Sequence, residues 1–163
     1  IGFEANVYVY GPFIKEAIIA EHNCIPINKD EGINIADYIS IHLPLNKNTR
    51  NFIGSKELSL MKKTAIIVNT ARGGIVDENE LANSLKDDKI LAAGIDVFEK
   101  EPPLENHPLF KLNNTLLSPH NAALTLECRK RMATEAAQNI VYFLKDRKKL
   151  NLNNIINSEV LNF

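Results

Sequence analysis

The sequence predicts an α/β fold, a parallel sheet with helices on both faces, incomplete at its N-terminal side. Three observations predict it. Strand-like and helix-like runs alternate with short connections, the order of repeated βαβ units. Residues 65–69 (AIIVN) are almost wholly apolar, the pattern of a strand covered on both faces. The chain begins at Ile1 rather than Met, so its natural start is expected to be absent.

The elements follow in order. Residues 6–10 (NVYVY) are β-branched and aromatic, and Gly11-Pro12 stops that strand. Residues 14–21 suit a short helix, and residues 37–42 hold a buried-type strand that ends before Pro44. Residues 55–61 (SKELSLM) read as a helix with Ser55 as N-cap. After the strand at 65–69, Asp77 opens a helix, with Glu80 three residues on as capping-box partner. Residues 91–97 (LAAGIDV) and 115–118 (TLLS) give two more short strands. The last helix starts near Thr125 and runs to about Leu144, where Cys128, Met132, Ala136, Ile140 and Leu144 recur every four residues and mark one apolar face. The tail from Asn151 is rich in Asn but carries Ile155, Ile156, Val160, Leu161 and Phe163, which predict a surface to pack on.

Composition narrows the class. A chain of 163 residues has room for one domain with a core, or one domain plus an appendage. A net charge of −1 gives no reason to expect nucleic acid as a partner. The basic run 145–149 suits a helix C-terminus better than a binding patch. No apolar run approaches the roughly 20 residues that span a bilayer, so no membrane partner is expected, and no secretory leader is visible. Cys24 and Cys128, far apart in apolar patterns, predict reduced, packed thiols of a cytoplasmic protein. No spacing of His, Cys, Asp or Glu suggests a metal site.

Ligands of such sheets bind at the carboxyl ends of the strands. The residues to question are therefore Gly11, Leu43, 69–74, 96–101 and 119–123. Three of them stand out: Arg72, Glu101 and His120. An imidazole can take a proton from an alcohol or give one to a carbonyl. A carboxylate beside it fixes the tautomer. A guanidinium fork grips a substrate carboxylate through two parallel hydrogen bonds. Together they suit oxidation of an alcohol next to a carboxylate, with a cofactor to accept the hydride. Each alone has a plainer reading: a turn residue, a solvated loop acid, a hydrogen-bonded loop histidine. His22, His42 and His107 lack a comparable set of neighbours, and His42 is assigned a structural role.

The stretches HLPLNKNTRNFIG (42–54), LMKKTAIIVNTARGGIVDENEL (60–81), AAGIDVFEKEPP (92–103) and LLSPHNAALT (116–125) resemble the D-isomer-specific 2-hydroxyacid dehydrogenase family, with phosphoglycerate dehydrogenase and its close relatives nearest within it. The likeness covers nearly the whole chain. It implies a Rossmann-type sheet in which residues 1–124 are an NAD(P)-binding domain lacking its first strand and glycine-rich loop. Residues 125–163 would be a helix and tail returning to a substrate domain that is missing. By the resemblance, Arg72 orients the substrate carboxylate and carbonyl, His120 is the general acid/base, and Glu101 is its carboxylate partner. Asp96 would lie near the nicotinamide carboxamide. Leu43, Thr70, Ala71, Arg72, His120, Asn121, Ala122 and Ala123 match positions that line the cofactor. The family implies NAD, but Gly11 stands where it usually carries an Asp for the adenosine ribose, which weakens NAD over NADP and leaves NADP open, with Lys15 the nearby cation.

The implied reaction moves a hydride between a nicotinamide and a D-2-hydroxy acid, such as 3-phosphoglycerate or a related small acid. A cytoplasmic homodimer is expected, and the isolated chain is expected to be nearly inactive. Two other readings remain at this stage. One is an NAD-sensing binding protein like the C-terminal-binding corepressors, which share these motifs. The other is an inactive truncated remnant.

Overall fold

In a computed structural model that describes residues 4–160, strands and helices alternate as the sequence predicts. The chain divides into two units, Ile1–Asn121 and Ala122–Phe163. The first runs β1 (Tyr8–Val9), α1 (Glu16–Glu21), β2 (Ile25–Pro26), α2 (Lys29–Ile35), β3 (Tyr38–Ile41), α3 (Ser55–Leu60), β4 (Ile66–Asn69), α4 (Glu78–Lys86), β5 (Ala92–Ile95), a 3-10 turn at Pro108–Lys111, and β6 (Thr115–Leu117). These strands pair in parallel, as helical crossovers require.

The pairings form two sheets, β1-β2 and β3-β4-β5-β6. Doubly wound folds run 3-2-1-4-5-6, so their first strand lies between the second and the fourth. The two sheets carry the pairings found on the two flanks of that position.

Register decides which face is buried. Ile39 and Ile41 align with Ile67 and Asn69, these with Ala93 and Ile95, and the last two with Thr115 and Leu117. This face packs with Leu58 of α3 and with Leu81 and Leu85 of α4 in one core. Each of those leucines is almost fully buried and contributes about 1.5–3 kcal/mol. The alternate positions differ. Tyr38 and Leu116 are 77% and 79% exposed, and Ile66 and Val68 are half-buried. The run at 65–69 is therefore buried on one face and only partly covered on the other.

Local chemistry explains most helix ends. Asp77 accepts from the backbone N–H groups of Asn79 and Glu80 and caps α4. Ser55 is the first helical residue of α3 rather than its cap. The cap is Gly54, whose N–H is held by the Glu57 carboxylate at 3.1 Å. Two elements, β2 and α2, lie where the apolar pattern marks none. β2 is only two residues long and contains Pro26, and α2 is a seven-residue helix with Gly32 inside it. Its legible signal is Asn28 with Glu31 three residues on: Asn28 accepts from the Glu31 N–H at 2.9 Å and donates to its carboxylate at 2.7 Å. A Lys29–Glu57 ion pair at 2.7 Å then ties α2 to α3.

The second unit is built on α5 (Leu126–Lys145), capped by Thr125, whose hydroxyl accepts from the Cys128 N–H. No residue of α5 is buried. The predicted apolar face is present but open, with Met132, Ile140 and Leu144 at 52%, 62% and 73% exposure. The tail forms short turns at Leu152–Asn154 and Ser158–Val160, and Ile156 is fully exposed instead of packed. Leu161, Phe163 and the side chain of Val160 lie outside the described residues. Cys24 and Cys128 are free thiols, half-buried rather than packed away. Among the described residues no helix is long and apolar enough to cross a membrane.

Candidate active site

β4, β5 and β6 end side by side, and each end carries one of the predicted residues. Asn69 closes β4 and is buried. Its side-chain amide donates to the Arg72 carbonyl at 3.0 Å, and its side-chain carbonyl accepts from the Ala71 N–H at 3.1 Å. The resulting turn places Thr70 and Arg72 in the open. Gly73 follows because nothing larger fits: a Cβ there would lie 2.0 Å from the Phe98 carbonyl carbon and oxygen. The loop bearing Arg72 thus packs backbone to backbone on the loop that leads to Glu101.

Asp96 lies just past β5, 4% exposed. One of its carboxylate oxygens accepts from the Ser118 hydroxyl at 2.6 Å and the Asn121 N–H at 2.9 Å, and its backbone carbonyl accepts from the His120 N–H at 2.8 Å. These bonds fix the segment after β6, in which His120 adopts φ +53°. Glu101 is held from both sides. One oxygen accepts from the Phe98 N–H at 3.0 Å, and the other meets His120 Nδ1 at 2.8 Å. The His120 bond, with the Phe98 N–H second, holds the Glu101 carboxyl below the usual glutamate range. An ionised carboxylate only accepts, so the Nδ1 proton faces Glu101 and Nε2 is the ring's exchangeable position.

The structure joins Glu101 to His120 directly. It places Arg72 on the adjoining loop, where its guanidinium donates to the Ala71 carbonyl at 2.6 Å. β4 and β6 both flank β5, so their ends are about 10 Å apart. A small acid and the reach of one arginine side chain cover that span. Phe98, Pro103, Phe110 and Leu117 line a cleft of about 370 Å³ beside Glu101 and His120.

The remaining predicted positions divide by environment. Leu43, just beyond β3, packs half-buried against the core and gives an apolar wall. Gly11 lies just beyond β1 with Ile14 against it; a Cβ there would come within 3.0 Å of the Ile14 methyl. Ala122 and Ala123 are exposed and belong to the second unit. His42 bonds the Ser40 hydroxyl at 2.8 Å. His107 corrects the expectation that it has no set of neighbours. Its Nε2 meets the Glu78 carboxylate at 2.9 Å, with both side chains nearly buried. No local spacing links Glu78 to His107; the contact exists only once α4 packs against the 3-10 turn at Pro108–Lys111.

Residues 1–122 match the family described as D-isomer specific 2-hydroxyacid dehydrogenase, NAD binding domain. The chain belongs to this family. It is 51% identical over 148 residues to a glyoxylate reductase of Aeropyrum pernix, which covers 91% of this chain and 42% of the relative. It is 42% identical over 157 residues to a D-3-phosphoglycerate dehydrogenase of Methanocaldococcus jannaschii, covering 95% of this chain and 30% of the relative. Among solved structures, an NAD-complexed D-isomer specific 2-hydroxyacid dehydrogenase from Lactobacillus delbrueckii superposes with a TM-score of 0.80 at 29% identity, over 88% of this chain and 47% of that one. The chain therefore spans less than half the length of these relatives.

The donor set at the strand ends fits the nicotinamide half of the family's cofactor. A buried carboxylate at Asp96 accepts hydrogen bonds, the Leu43 wall is apolar, and the Thr70 turn is open. No glycine-rich loop for the pyrophosphate occurs in the sequence.

Proposed function

We propose that this chain supplies the acid/base and nicotinamide side of a D-2-hydroxyacid dehydrogenase that interconverts small 2-oxo acids and D-2-hydroxy acids, with glyoxylate and the phosphoglycerate oxidation product as the first substrates to try. The observation that carries the reading is the 2.8 Å bond between His120 Nδ1 and Glu101, which leaves Nε2 turned to chemistry. In the oxidation direction Nε2 takes the hydroxyl proton, and Glu101 stabilises the imidazolium that forms. In reduction Nε2 returns the proton to the carbonyl oxygen. Arg72 swings from the Ala71 carbonyl to hold the substrate carboxylate with its fork. A bound nicotinamide supplies or accepts the hydride.

Gly11 supports use of both NADH and NADPH. With no acid at that position, no carboxylate repels a 2′-phosphate, and an Asp introduced there would have to displace Ile14. The free thiols suit a reducing cytoplasm, and a homodimer is the assembly to test by sedimentation.

The experiment is reduction of a 2-oxo acid panel with NADH by the full-length gene product. Turnover of glyoxylate or another small 2-oxo acid supports the reading. Cofactor-dependent assembly without turnover of any panel member overturns it.

A further inference from the structure

The Glu78–His107 contact has no place in the proposed chemistry, yet it converges on the segment that carries Glu101. One Glu78 oxygen accepts from the Glu99 N–H and the other from His107 Nε2. The His107 ring sits edge-on to Phe98 with centroids 5.3 Å apart. Phe98 is the residue whose N–H holds Glu101. On the far side, the Arg50 guanidinium pairs with the Glu99 carboxylate. These contacts hold the 98–99 segment, whose Phe98 N–H in turn holds the Glu101 carboxylate.

His107 also has a competing, purely structural duty. Its Nδ1 accepts from the Leu109 N–H at 3.4 Å and caps the 3-10 turn. That bond assigns the ring its tautomer: Nδ1 accepts, so Nε2 carries the proton given to Glu78.

We infer that Glu78 and His107 are positioning residues that lock residues 98–101 so that Glu101 meets His120. The inference rests on the proposed acid/base role of that pair, and it makes α4 a support of the site. Side-chain geometry separates the two duties of His107. Asn reproduces the Nδ1 acceptor but cannot reach Glu78. Gln reaches Glu78 with a donor at the Nε2 position but loses the cap.

The test compares His107→Asn and His107→Gln in the full-length gene product. His107→Asn is expected to lower kcat by about ten- to a hundredfold with KM little changed, the cost of a misplaced catalytic group. His107→Gln is expected to keep near wild-type kcat. In a Glu101→Gln background, His107→Asn should add no further loss. The opposite pattern, with His107→Asn active and His107→Gln slow, would make capping the whole role and overturn the inference, as would full additivity with Glu101→Gln.

A readout without turnover keeps the inference separate from the functional reading. Carboxyl NMR should place the Glu101 titration low in the wild type and in His107→Gln. It should move up toward the ordinary glutamate range in His107→Asn. Glu78→Gln should give the same upward movement, because its single amide oxygen can accept from only one of the Glu99 N–H and the Nε2 proton and its NH2 faces the other, and it serves as the second variant should His107→Asn fail to fold. An unmoved Glu101 titration in a folded variant overturns the inference even if the enzyme is active. The expected movement in a protein that turns over no 2-oxo acid would leave the inference standing and remove the reading it serves.

Discussion

Two histidine–carboxylate pairs of nearly equal length contact the segment at 98–101. In one, His120 and Glu101 are 48% and 38% exposed and meet at 2.8 Å. In the other, His107 and Glu78 are 13% and 12% exposed and meet at 2.9 Å. The chemical groups are the same, but their second nitrogens differ. His107 engages both ring nitrogens, one with Glu78 and one with the Leu109 N–H, so neither exchanges a proton with a ligand. Among the described residues the His120 ring bonds through Nδ1 alone and offers Nε2 at the carboxyl end of the sheet. A carboxylate partner therefore does not by itself mark a catalytic histidine. On the proposed reading, exposure and the uncommitted nitrogen are what set His120 apart from His107.

The largest effect that can break this contrast is at His120. In the full-length gene product His120→Asn should lower kcat by about two to four orders of magnitude, the usual share of acid/base catalysis. Steady-state kinetics should rank it well below His107→Asn, and equal losses would erase the distinction between the pairs. Arg72→Lys comes next. It keeps the charge but not the fork, so it should raise KM and reduce kcat/KM by about tenfold or more. An unchanged KM for the 2-oxo acid would remove Arg72 from substrate binding.

Gly73→Ala tests the packing that both pairs share. Its methyl would meet the Phe98 carbonyl, so unfolding in urea should show a loss of about 1–3 kcal/mol or more. A neutral result would mean that the two loops are not in register as described.

The smallest effect is in pH. The Glu101 carboxyl is depressed by its bonds to His120 and the Phe98 N–H. Its contribution is therefore present above the ordinary glutamate range and lost as pH falls through the lower folded value. Carboxyl NMR should find this titration low and find it raised in His120→Ala. A titration at the ordinary value in both proteins would deny the bond.

Sequence pattern carried the outline of the fold further than its details. Long runs such as 65–69 and the capping residue Asp77 are local signals, and they fall where β4 and α4 lie. β2 and α2 escaped because a two-residue strand and a seven-residue helix with Gly32 inside it leave too little periodicity to read. The run at 65–69 could not report that one sheet face is only partly covered, since its composition is the same either way. At the site, Arg72, Glu101 and His120 were legible as chemistry at strand ends. The His107–Glu78 contact was not, because 29 residues separate the partners and only packing joins them.

The central claim is that Arg72 and His120 act on one ligand. A crystal structure of the full-length gene product with NADH and oxamate, an unreactive 2-oxo acid analogue, tests it most directly. The expected result has His120 Nε2 about 3 Å from the analogue's carbonyl oxygen and the Arg72 guanidinium on its carboxylate. Oxamate bound away from His120, or held at His120 with Arg72 still on the Ala71 carbonyl, would contradict the account.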